Sequence, residues 1–263
     1  MIVRYESDGS IVMITQNDHA QLSGLFAAHW GNGTFEKPRP YGSLVRAAMF
    51  HDRGWIRYET GPQLNPATGK TPNYREVPND QTQLEAFEWA GDWLGAIDPY
   101  AGLMIARHRT GLWQGRYGVI TQPPAIQRGK LPPDIEAFIA RSEVKQKTVA
   151  EKFDAKDLAI NYNLLQVWDI LSLYICSTEL LKPDRIAPVP VGYSAAPGIG
   201  MALTPRDDST IAIDPYPFDQ PSLTASVIYR RLRQTSFKDS AELQSAYFKT
   251  APQIAPFTLV PAA

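Results

Sequence analysis

Half of the 22 prolines fall within residues 183–263, less than a third of the 263-residue chain. Proline removes a backbone donor and clashes with the preceding helical turn, so a segment this rich in it holds no long helix. Short β-type runs at 210–213 and 224–229 sit there between turns, with room for one short helix at 239–250. Upstream the pattern changes. Residues 17–182 read as helices at 18–30, 42–53, 81–96, 99–109, 132–152 and 157–181. Asp98-Pro99 places a cap and a proline at a helix start, while Gly54 and Gly111 follow two expected ends. The first fifteen residues read as a hairpin: Val3 and Tyr5 alternate with polar residues, Asp8-Gly9 turns, and Ile11 to Ile14 returns. An isolated hairpin is only marginally stable, so the two β-rich ends are expected to pair in one small sheet. The expectation is therefore a mainly α protein: a helical body over 16–182, with 1–15 and 183–263 packed on it as one compact unit.

Charge and cysteine usage exclude several function classes. Twenty-six basic residues balance 27 acidic ones, leaving a net charge of −1 and no basic field for a phosphate backbone. Nucleic acid is not an expected partner. One cysteine, Cys176, cannot make an internal disulfide. It lies in an apolar helical run and reads as packing rather than as a nucleophile. The charged start does not resemble a signal peptide. No run of 18 uncharged apolar residues suggests a membrane span. A cytoplasmic, bacterial-type protein acting on a small molecule is the expectation.

The chemistry concentrates where polar residues interrupt apolar segments. Residues 164–181 are apolar nearly all round a helix, yet Asp169 sits inside them. A buried carboxylate is costly unless it is paired, hydrogen-bonded or on a metal. Arg46 is one candidate partner, and the histidines are the others. All four histidines (His19, His29, His51 and His108) lie in the first 108 residues. At 100° per residue, His19 shares a helical stripe with Leu22 and Phe26, and His29 falls near it. Ten residues separate the two, about 15 Å along a helix, so both cannot serve one ion. His51-Asp52 ends an apolar helix, and His108 follows the apolar run 100–106.

The order His19, His51-Asp52, Asp169 resembles the HD superfamily of metal-dependent phosphohydrolases. The stretches Asp18-His-Ala-Gln-Leu-Ser-Gly24, His51-Asp-Arg-Gly-Trp55 and 164–172 look closest to an uncharacterised bacterial HD-like family. The resemblance implies an HD-type helical bundle. It also implies one divalent ion (Mn, Fe, Zn, Ni or Mg) ligated by His19, His51, Asp52 and Asp169. His108 then matches an additional histidine that serves a second metal or a substrate phosphate, and His29 matches nothing. The implied activity is hydrolysis of a phosphate ester, with Asp52, His108 and Arg109 as catalytic candidates. The 117 residues between Asp52 and Asp169 depart from the pattern through an inserted loop and helix over 110–156.

Two other functions fit the same residues. A di-iron oxygenase of that superfamily needs more ligands than His108 alone supplies between doublet and final aspartate, unless Glu85 or Glu88 substitutes. A metal-stabilised metabolite-binding protein needs no general base. Arg53, Arg57 and Arg107 are further anion candidates, and Trp55, Tyr74 and Trp113 could line a pocket. Glu85, Glu88 and Asp92 share a helix face that reads as solvated. The proline-rich stretch 60–80 has the length of a lid or binding loop. Gly198-Ile-Gly200 lacks the context of a dinucleotide site.

Overall fold

A computed structural model describes residues 1–77, 79–116, 131–194 and 198–262. The chain opens with the expected hairpin, β1 (Ile2–Tyr5) and β2 (Ile11–Ile14), turned by Gly9 at φ 79°. Helices follow at α1 (Gln16–His29), α2 (Tyr41–Phe50), the single turn α3 (Ile56–Glu59), α4 (Gln81–Ile97), α5 (Pro99–Gln114), α6 (Pro133–Ala150) and α7 (Ala155–Cys176). The tail adds β3 (Asp184–Val189), β4 (Ile199–Pro205), β5 (Thr210–Asp214), β6 (Leu223–Leu232), α8 (Ser240–Lys249) and β7 (Gln253–Pro261). Asp98 accepts from the backbone N–H groups of Tyr100 and Ala101, each at 3.1 Å, which fixes the start of α5.

The fold is not the mainly α bundle expected from sequence. The hairpin and the tail build one seven-stranded sheet in the order β1-β2-β6-β7-β5-β4-β3, antiparallel except for the β5–β7 pair. The fold is therefore mixed, with this sheet packed against the helices. Leu223, Ala225 and Val227 alternate inward along β6 and share one core with Phe26 of α1 and Leu165 and Trp168 of α7. The apolar run of β2 is buried on both faces: Val12 and Ile14 join that main core, while Ile11 and Met13 join a second cluster capped by Leu243 and Tyr247 of α8. The prolines of the tail are compatible with a sheet because of where they sit. Pro188 occupies the irregularity between Ile186 and Val189 in β3, and Pro256 lies in the part of β7 that pairs only with β6.

The helical limits agree with expectation to within a few residues, except that α5 continues past Gly111 to Gln114 and α7 stops at Cys176, five residues short of the expected 181. The loop expected over 110–156 lies partly outside the described residues, while α6 occupies its second half. The stretch 60–80, described except for residue 78, is pinned to the body. Tyr74 N–H donates to Met1 O at 2.8 Å, Asn73 Nδ2 to Val3 O at 3.2 Å, and Leu64 N–H to Ser240 Oγ at 3.0 Å. No described helix is long and apolar enough to cross a membrane.

Candidate metal centre

Four helical segments converge at one buried point. His19 comes from the first turn of α1, His51 and Asp52 from the end of α2, His108 from α5 and Asp169 from α7. None of the five is more than 5% exposed. Adjacent residues of a regular helix point 100° apart, and the backbone resolves this for the doublet. His51 keeps helical dihedrals, whereas Asp52 turns to φ −107°, ψ 19° before a 3-10 turn over Arg53–Trp55. Gly54 then approaches α4 so closely that a Cβ there would lie 2.9 Å from Phe87 Cα. The glycine is required by that contact, since its φ is not left-handed.

The donor atoms face one another. His19 Nε2 lies 2.9 Å from Asp52 Oδ2, and His51 Nε2 lies 3.3 Å from Asp169 Oδ1 and 3.8 Å from Asp52 Oδ2. His108 Nε2 is 4.0 Å from Asp52 Oδ1 and 4.0 Å from Asp169 Oδ2. For an ion with bonds of about 2.1 Å, octahedral neighbours are about 3.0 Å apart and opposite ligands about 4.2 Å. The observed spacings fall in that range. Two overlapping triads could hold an ion, His19–His51–Asp169 and His51–Asp52–His108. Both need His51, whose single inward nitrogen can serve one ion.

The outer nitrogens are held as a ligand set requires. His51 Nδ1 donates to Ala48 O at 2.8 Å, so a neutral His51 presents its Nε2 lone pair inward, where it has no hydrogen-bond partner. His19 Nδ1 lies 2.8 Å from Ser172 Oγ, whose hydroxyl is also 2.8 Å from Asp169 O. Ser172 can therefore accept from His19 by donating to that carbonyl, and Ser23 Oγ supports it at 3.0 Å. Gln16 Nε2 donates to Asp52 Oδ2 at 2.9 Å.

Electrostatics match this geometry. Burial pushes the His51 pKa down, but the carboxylates of Asp169 and Asp52 outweigh it and raise it to about 9. Burial also opposes ionisation of Asp52, yet His51, His19 and His108 bring its pKa to about 2, and Asp169 is likewise lowered. Burial and the neighbouring His51 charge hold His108 down at about 4, so it is neutral at pH 7. A proton on His51 thus occupies the position where a cation would compensate both carboxylates.

Glu59 ties the two halves of the site together. From α3 it accepts from the backbone N–H groups of Gln16 and Asn17 and from Asn17 Nδ2, capping the helix that carries His19. Its carboxyl is buried, which raises its pKa to about 7 despite the amino group of Met1 at 3.8 Å and these donors. The raised value favours the protonated form on folding, so the contribution of Glu59 to stability is fully present below pH 4.5 and is lost as pH rises to about 7. The shift corresponds to about 3 kcal/mol. Glu59→Gln cannot ionise, so relative to wild type it should gain roughly that amount between pH 4.5 and 8, whatever constant offset the amide introduces. Urea midpoints measured across this window check it; parallel curves for the two proteins would rule the reading out.

The remaining candidates lie elsewhere. His29 Nδ1 pairs with Asp219 Oδ1 at 3.0 Å, and Arg46 pairs with Asp98 at 2.8 Å rather than with Asp169. The Arg109 guanidinium lies 3.9 Å from the Phe87 ring centroid and 4.2 Å from that of Trp113, with Trp55 at 5.6 Å and Asn79 at 3.4 Å. It belongs to the aromatic cluster beside the site. The Arg53 guanidinium lies 5.7 Å from the Trp93 centroid, and Arg57 is exposed. Arg107 is partly buried on α5. Glu88 and Asp92 hold Lys145, each at 2.9 Å, and Glu85 accepts from Gln81. Tyr74 packs against both the main core and the aromatic cluster. Cys176 is fully buried, with its pKa pushed up to about 12 by desolvation. Gly200 sits within β4.

Sequence reasoning missed Gln16, Ser23, Ser172 and Glu59. Helical period alone could have found three of them: Gln16 and Ser23 lie three before and four after His19, and Ser172 three after Asp169. Glu59 carried no such signal, because its contact with α1 spans 43 residues.

Comparison with known proteins corrects the expected relationship. No curated protein and no solved structure matches the chain. Residues 1–234 match a family described as protein of unknown function (DUF3891). That match runs through the hairpin, all five clustered residues and the whole of β6. Together with a seven-stranded sheet foreign to an HD bundle, it overturns the assignment to the HD superfamily. The chain belongs to the DUF3891 family.

Proposed function

We propose that the cluster binds one divalent metal ion and uses it to hydrolyse a phosphate ester of a small molecule. The observation that carries the metal is the convergence of three imidazoles and two carboxylates, all buried, at ligand spacing. Burying two ionised carboxylates is stable only with compensating positive charge. Five protein ligands on one octahedral ion would leave a position for water or substrate. When bound, such an ion lowers the pKa of a coordinated water toward neutrality and polarises a phosphoryl oxygen.

The chain's own residues supply the rest. Asp52 and Asp169 each present both oxygens to the cluster, so one oxygen can ligate while the other accepts a proton from an entering water. His108, neutral at pH 7, ligates or donates to a phosphoryl oxygen according to its tautomer. Ser172 and the Ala48 carbonyl keep His19 and His51 oriented. Among the described residues, the shared His51 nitrogen leaves ligands for one ion, which favours hydrolysis over a two-iron oxygenase.

Hydrolysis of p-nitrophenyl phosphate and bis(p-nitrophenyl) phosphate tests this reading. Activity should vanish on chelation, return with a divalent ion, and fall at least about 100-fold in Asp52→Asn. Turnover that survives both chelation and Asp52→Asn, or its absence from the metal-loaded wild type across a broad phosphate-ester panel, would dismiss the hydrolytic assignment.

A further inference from the structure

Gln16 combines two features that its role as a helix-start residue does not explain. Its side chain is 2% exposed, and its amide oxygen, Oε1, has no hydrogen-bond partner among the described residues. The amide orientation is not arbitrary. Gln16 Nε2 donates to Asp52 Oδ2 at 2.9 Å, so the NH2 edge of the amide is the one turned to the carboxylate. Exchanging the amide atoms would place two acceptors together. The carbonyl oxygen is thereby left buried beside the cluster as an acceptor without a donor among the described residues, which is costly unless a donor arrives.

The donor cannot be one of the cluster's carboxylates. His51 has its Nδ1 hydrogen on Ala48, and the outer nitrogen of His19 is held at Ser172. Gln16 precedes His19 by three residues and so lies on the same face of α1, with its backbone fixed by Glu59. The amide is therefore held from three sides: the helix start, the Asp52 oxygen and the packing around it. A group held in this way at the edge of a ligand set can orient whatever enters the set.

We infer that Gln16 is the positioning residue for the nucleophilic water: its NH2 fixes Asp52 while its carbonyl accepts a hydrogen bond from the water entering the cluster. This inference rests on the metal reading above. Fixing one O–H of the water on Gln16 aims a lone pair away from the amide, toward the substrate. It also leaves the second O–H for a carboxylate oxygen of Asp52 or Asp169. No covalent bond to Gln16 forms, and the proton removed from the water goes to that carboxylate.

Crystals of the Co2+-loaded wild-type protein, with Co2+ titrations of wild type and Gln16→Met followed by visible absorption, test the inference. The loaded wild type should show a water shared between the ion and Gln16 Oε1. Gln16→Met should bind Co2+ about 10–100-fold more weakly, as expected for loss of a group that orients a ligand, with an altered absorption spectrum. Wild type that takes no Co2+ overturns the metal reading itself. Wild type that takes Co2+ but leaves Oε1 on a protein donor, or a Gln16→Met spectrum that superimposes on wild type, overturns the role of Gln16 alone.

Discussion

Replacing His51 by alanine is expected to abolish metal binding and to destabilise the metal-free protein as well. His51 belongs to both possible ligand triads, and its Nε2 faces Asp169 at 3.3 Å and Asp52 at 3.8 Å. Without the ion, a protonated His51 is the charge that compensates the two carboxylates at neutral pH. Its removal leaves them buried together, and breaking a buried pair in this way costs about 3–5 kcal/mol. The metal affinity should fall by more than about 100-fold, beyond the loss seen for groups that only orient a ligand. Thermal unfolding with and without Mn2+ reads both effects. Wild type should gain stability with the ion, and His51→Ala should unfold at lower temperature and gain nothing. His29→Ala is the control, since His29 pairs with Asp219 away from the cluster, and it should keep the full metal response. A metal-dependent gain in His51→Ala equal to that of wild type would refute the assignment.

A large effect is also expected at a contact between two helices that involves no side chain. In α5, a Cβ added at Gly102 would lie 2.4 Å from Gly95 Cα and 2.5 Å from Gly95 N of α4. These are backbone atoms, so no rotamer change relieves the clash and the two helices must separate. Alanine is favoured over glycine within a helix by about 1 kcal/mol, but overpacking costs about 1–3 kcal/mol and more where the backbone must move. Gly102→Ala should therefore lose roughly 2 kcal/mol net, or about 4–8 °C in Tm. The displacement also moves α5, which carries His108, so metal affinity should weaken with it. The converse substitution, Gly95→Ala, meets only Gly102 Cα at 4.0 Å. It should be neutral or slightly stabilising. A Gly102→Ala protein as stable as Gly95→Ala would show that the helices are not packed at this contact.

The helices were legible because their signals are local. Asp98-Pro99 and the apolar stripes that carry His19 and Asp169 lie within single turns of the segments they define. That the two β-rich ends share one sheet was expected and is seen in the β2–β6 pair. Its seven strands and their order were not legible, because pairings such as Ile11 with Leu232 span more than 200 residues. Nothing in the periodicity of either strand names the other. The apolar run Ile11 to Ile14 did record burial on both faces, and that pattern fits a strand inside a larger sheet better than a two-stranded edge. The residues of the cluster were readable for a different reason. A carboxylate in an apolar helix and a His-Asp at a helix end are expensive to bury, so their presence in such segments already signals compensation. What the sequence could not supply was the dihedral turn at Asp52 that lets neighbours face one point, or the orphan oxygen of Gln16. Arg109 shows what neighbourhood in sequence leaves out: it follows His108, yet its guanidinium lies over the Phe87 and Trp113 rings.

The number of divalent ions retained per chain tests the account most directly. Chelator-stripped wild type, loaded with Mn2+ or Zn2+ and freed of excess ion, should hold one ion per chain by elemental analysis, and His51→Ala should hold none. Wild type that retains no ion, or two, or His51→Ala that retains as much as wild type, would contradict it.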